Sequence, residues 1–132
     1  MVHNRGTIIR CAAVLACTAG VFWMHSAYAQ TQLSMDEHAG QKLIEANRKL
    51  NASVAVLRKH LSTSQLALFQ QSQQTWYRFR TQDALFRASQ YQGGSLYPTE
   101  FAMVQTDLTN RRIAELQTII KERDEVSGNG KR

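Results

Sequence analysis

From Gln70 to Leu116 the chain reads QQSQQTWYRFRTQDALFRASQYQGGSLYPTEFAMVQTDLTNRRIAEL, and this stretch decides the fold. Its first part carries apolar residues at helical spacing (Leu66 just upstream, then Phe69, Trp76, Phe79, Ala84 and Phe86). Gln73, Arg80 and Asp83 intrude on that stripe. Glutamine forms helix well enough that its frequency here does not oppose a helix, and the spacing predicts one over 65–90. Tyr91 to Pro98 then reads as a loop: Gly93-Gly94-Ser95 is a turn signal, and Pro98 suits the first turn of a following helix. Phe101, Val104, Leu108, Ile113, Leu116, Ile119 and Ile120 supply the stripe of a helix over 99–125, with Arg112 inside it.

Upstream, Leu43, Asn47, Leu50, Val54, Leu57 and Leu61 recur at alternating steps of four and three, which predicts a helix over 35–61. Ser34 is its expected N-cap, with Glu37 completing a capping box. Ser62-Thr63-Ser64 breaks the pattern and offers caps to the second helix. The expected fold is all-α, a small antiparallel three-helix bundle or helical hairpin domain that follows a cleaved signal peptide.

The first 29 residues read as that signal peptide. Arg5 and Arg10 precede an apolar run from Cys11 to Met24, and Ala27-Tyr28-Ala29 gives the small-x-small pattern before a cleavage near Ala29. The run is short of the roughly 20 residues a membrane span needs, which disfavours an uncleaved anchor. A lipoprotein reading at Cys17 has only the poor box Val14-Leu15-Ala16 in front of it. Residues 30–126 form the expected domain and 127–132, Gly-rich and charged, the expected disordered tail. The expected location is periplasmic or secreted.

Both cysteines, Cys11 and Cys17, lie in the signal segment, so the mature domain has no thiol nucleophile, thiolate site or disulfide. His38 and His60 have no ligand-like neighbours in sequence, which speaks against a metal. The carboxylates are scattered, there is no nucleophile elbow, and Gly93-Gly94 lacks the spacing and the Lys of a phosphate loop. No catalytic residue, cofactor or metal is expected, and the chain is not read as an enzyme. The formal charge of +6 falls to +4 without Arg5 and Arg10. Export argues against nucleic acid as the partner of that charge and favours an anionic envelope surface.

Asn47, Asn51, Gln73, Arg80, Asp83 and Arg112 stand out as polar residues in or beside apolar stripes. A buried guanidinium needs an acceptor or a solvent edge, so these residues are read first as a satisfied structural network and second as a recognition surface. Asp83, Asp107, Glu45 and Glu115 are the candidate carboxylates for the two arginines. Trp76 is read as core, on a face shared with Phe69 and Phe79.

The order of these motifs resembles the LprI-like lysozyme-inhibitor family, whose members are small exported helical domains. The residues that carry the resemblance are Asn47, Leu50 and Asn51; Gln73, Trp76 and Arg80; Gly93, Gly94 and Ser95; and Leu108, Thr109 and Arg112. Asn47 stands where that family usually has Asp. Family members also usually carry cysteines able to join the second and third helices, and the corresponding positions here fall near Ala84 and Val104. The resemblance implies a protein-binding role, with lysozyme or another muramidase as partner. The 91–98 loop is its candidate contact, with Tyr91 and Tyr97 as anchors and Gly93, Gly94 and Ser95 at the tip. The alternative is an envelope-associated structural or stress protein held on anionic cell wall or membrane, without lysozyme inhibition. The sequence leaves the oligomeric state open.

Overall fold

A computed structural model describes the backbone of residues 8–129 and the side chains of residues 30–127. It contains three helices and, among the described residues, no strand: α1 spans Ile8–Arg58, α2 Thr63–Ala88 and α3 Tyr97–Asn129. A single 3-10 turn, Ser89–Tyr91, follows α2. The all-α fold expected from periodicity is the fold observed. Residues up to Met35 form one compact unit and those from Asp36 onward another, and all the packing below lies within the second.

The first helix departs most from expectation. It runs through residues 34 and 35 without interruption, so Ser34 caps nothing. The cause is local: Met24 to Met35 contains neither Gly nor Pro, and Ala, Gln and Leu there all propagate helix. The signal segment expected over 1–29 lies outside the residues whose side chains are described, and residues 130–132 of the expected tail lie outside the described backbone. Among the described residues, no helix is long and apolar enough to cross a membrane.

The break between α1 and α2 is well defined. Lys59 and His60 close the end of α1 with amides bonded to the carbonyls of Val56 and Leu57, at 3.0 and 2.9 Å. Ser62 then caps α2: its hydroxyl accepts from the Gln65 amide at 3.4 Å, and its own amide donates to Gln65 Oε1 at 3.1 Å. This reciprocal box satisfies two donors that the helix start would otherwise leave open.

The core comes in two parts. Leu50, Leu57, Ile113 and Leu116 form the larger cluster, with Val54, Phe69, Trp76 and Ile119 packed against it. Ala84, Val104 and Leu108 form a smaller one near the α2–α3 loop, joined by Phe101. The α1 stripe therefore faces inward as its spacing predicts. The α2 stripe does so only in part. Phe79 is 53% exposed and Phe86 77%, so neither belongs to the core expected for them. Trp76 is half-buried.

Candidate functional site

Between the two apolar clusters lies a polar layer drawn from all three helices. Arg80 Nη1 donates to Asn47 Oδ1 of α1 at 2.7 Å and to Thr109 Oγ1 of α3 at 2.9 Å. The Thr109 hydroxyl, fully buried, donates in turn to the Gln105 carbonyl at 2.7 Å. The Arg80 guanidinium carbon also sits 5.2 Å from the Trp76 ring centre and 5.1 Å from that of Tyr77. Burial lowers the Arg80 pKa from its ordinary value, because the charged form loses water, and Tyr77 opposes that shift. Its acceptors, Asn47 Oδ1 and Thr109 Oγ1, are neutral oxygens, and its Nε is buried without a partner.

A second arginine binds one turn further along. Arg112 Nε donates to Gln73 Oε1 at 2.8 Å, Nη1 to Glu115 at 3.0 Å and Nη2 to Ser72 Oγ at 3.4 Å. Its guanidinium lies 6.0 Å from the Trp76 centre, so two cations approach one indole. Gln73 is buried, and its Nε2 has no partner. These bonds fix the helix order: Gln73 of α2 meets Arg112 of α3, and Arg80 further along α2 meets Thr109 further back on α3.

The structure thus brings Asn47, Gln73, Arg80 and Arg112 together through Trp76 and Thr109. It leaves two of the sequence candidates apart. Asn51 is exposed on α1. Asp83 lies 2.9 Å from Arg87 Nε, outside hydrogen-bond geometry, and takes no part in the layer. Of the carboxylates considered, Glu115 serves Arg112, and Arg80 uses Asn47 and Thr109 instead. The role of Thr109 as acceptor was not foreseen, although it lies in the Leu108-Thr109-x-x-Arg112 motif. A further tie unseen in the sequence joins Thr99, buried at the start of α3, to Asp36 of α1 through the threonine hydroxyl. A carboxylate there also complements the positive end of the α3 dipole.

The loop after α2 is built by turns. Gln92 N bonds Ser89 O at 3.0 Å, Gly94 N bonds Tyr91 O at 2.9 Å, and Tyr97 N bonds Gly94 O at 3.3 Å. Gly93 takes a φ of 80°, a region costly to side-chain-bearing residues. Residues 92–96 are exposed, while Tyr91 and Tyr97 are half-buried. The Tyr97 ring stacks on Phe101, centres 6.4 Å apart and 9° between planes. Tyr97 thus anchors the loop to α3 as well as flanking its tip.

This layer and loop occupy the region that comparison with known families picks out. A family model described as "Lysozyme inhibitor LprI" matches residues 24–116. The chain belongs to the LprI family. No curated protein and no solved structure matches it significantly. The match in this LprI protein takes in both arginines, Trp76, Thr109 and the whole loop, and ends at Leu116 in the larger core cluster. The contact between His60 and Asp124, 3.5 Å apart at the far end of α3, has one partner beyond it. Among the described residues, no group of three or more His, Cys, Asp or Glu is placed to hold a metal.

Proposed function

We propose that this LprI protein is exported, with cleavage near Ala29, and acts by protein–protein contact as a lysozyme inhibitor through the 91–98 loop. Membership of an inhibitor family is the observation that carries the reading. The loop adds physical support. The amides of Gln92, Gly94 and Tyr97 are already bonded in its turns, so little entropy is lost when a partner engages it. Its residues, from Tyr91 to Pro98, carry no charge. That matters because the domain is basic, and a basic lysozyme would be repelled by a positively charged tip. A muramidase cleft offers two carboxylates as acceptors, which the Ser95 hydroxyl suits as a donor. The polar layer serves as scaffold: it locks α2 against α3 and so fixes the two stems of the loop.

The test is titration of the purified protein into lysozyme assays at physiological salt. Inhibition at micromolar protein is expected, and Gln92→Ala/Leu96→Asp, both exposed, lowers it at least tenfold with an unchanged melt. Failure to inhibit any muramidase tried at that concentration removes the reading. Salt-sensitive retention on cell-wall material would then support adsorption to an anionic surface.

A further inference from the structure

Helix α2 carries two seams, not one. The inner seam contains Phe69, Gln73, Trp76, Arg80 and Ala84 and meets α1 and α3. Beside it lies an outer seam: Leu68, Ser72, Thr75, Phe79, Gln82 and Phe86. Its steps are four, three, four, three and four, the spacing of a helix–helix seam, rotated by about 100° from the inner one. All six positions are exposed, with Leu68 at 69%, Phe79 at 53% and Phe86 at 77%. None of the six is charged, in a chain of formal charge +6. A shallow groove of about 490 Å³ lies beside its first half, lined by Leu68, Ser72, Thr75, Trp76 and Phe79.

We propose that this seam pairs with the same seam of a second copy, the two α2 helices running in opposite directions about a two-fold axis near Tyr77. The side chains are self-complementary in that register. Leu68 meets Phe86 of the other copy, Thr75 meets Phe79, and Ser72 meets Gln82. Each phenylalanine faces a smaller side chain, and the one amide faces a hydroxyl. Each layer also joins the two alternating positions of the repeat, as opposed helices require. The strip is about 27 Å long at 1.5 Å per residue. Its three large side chains expose roughly 350–400 Å² per copy, below the ~800 Å² per partner of a standard interface. The dimer is therefore weak, with Kd in the micromolar range. Arg78 flanks the seam close to the two-fold axis, so the two copies set like charges side by side. Salt screens that repulsion, and the dimer tightens as salt rises. Adsorption driven by charge does the opposite.

Sedimentation equilibrium of the protein recovered from expression of the full chain tests this at 50 and 500 mM salt. The expected result is a monomer–dimer equilibrium that tightens with salt. Phe79→Gln/Phe86→Gln weakens it at least tenfold while the helical signal and melt hold, since both rings are exposed. Arg78→Gln tightens it at low salt. A mixture of Ser72→Cys and Gln82→Cys proteins crosslinks on mild oxidation more than either alone. Three results overturn the proposal: a monomer at several hundred micromolar at both salts, an unchanged dimer in the double-Phe variant, or crosslinking that favours Ser72→Cys with itself. Loss of lysozyme inhibition in the double-Phe variant without any dimer in the parent likewise overturns it, by assigning the seam to the enzyme partner.

Discussion

Arg112 and Gln73 form a pair in which each side chain satisfies the other's buried atom, with Nε to Oε1 at 2.8 Å. Removing one partner costs more than removing both, because the survivor stays buried without its bond. Arg112→Met should therefore destabilise the protein by about 1–3 kcal/mol, leaving Gln73 with neither amide atom bonded. Gln73→Leu added to Arg112→Met should recover most of that loss. Urea melts of the four proteins in the cycle give the coupling, and simple additivity would show that the bond contributes nothing of its own. On the surface of α1, Glu45 behaves differently. Arg48 bonds it at 2.8 and 3.0 Å and Lys49 stands 3.5 Å away. The Arg48 hydrogen bond, chiefly, lowers its pKa from 4.5 to about 2. A folded carboxyl depressed in this way contributes above its unfolded pKa of 4.5, and the contribution is lost as pH falls towards 2. The pair is open to solvent, so its effect on stability is small. Carbon-detected NMR should place the Glu45 midpoint below 4.5 in the parent protein and back towards 4.5 in Arg48→Ala.

Helices were legible wherever a stripe and a stop signal coincided. Ser62 and Gln65 end one helix pattern and begin the next, and the capping box forms there. The start of α1 was not legible, because Ser34 looks like a cap only if something before it breaks the helix, and nothing does. The two seams of α2 explain the misplacement of Phe79 and Phe86. Hydrophobicity draws the eye to the phenylalanines, yet the inner seam holds Gln73 and Arg80, whose long-range partners Arg112, Asn47 and Thr109 no local pattern reveals. The α2–α3 loop was legible from its glycines, which play unequal parts. Gly93 has a φ of 80°, where a Cβ is strained whatever the space. Gly94 is not in that region, and a Cβ added there would sit 3.2 Å from the Tyr91 carbonyl oxygen. Gly93→Ala should cost about 1–2 kcal/mol and Gly94→Ala less. Thermal melts decide the order, and a greater loss at Gly94 would mean that crowding against Tyr91 outweighs backbone strain.

Across the whole molecule, a core split by a cationic layer must be held at both ends. The larger cluster is closed beyond the layer by Arg123, whose Nη1 donates to the His60 carbonyl at 3.2 Å. The smaller cluster is closed by Thr99 on Asp36 and by the packing of Ala84, Val104 and Leu108. Those two positions, Ala84 and Val104, are where the family resemblance places cysteines, and the structure sets both in one buried cluster, 0% and 6% exposed. Packing there does the work a covalent bond can do, and it does so with small side chains. Ala84→Cys/Val104→Cys should therefore oxidise spontaneously in an oxidising compartment. Closing a loop of about 20 residues restricts the unfolded chain and should raise stability by about 3 kcal/mol over the reduced form. The reduced double variant separates the two contributions. It should melt slightly below the parent, because a thiol replaces Val104 in a close-packed site. An oxidised melt no higher than the reduced one would mean that the α2–α3 crossing in this chain is set at a spacing that a disulfide strains.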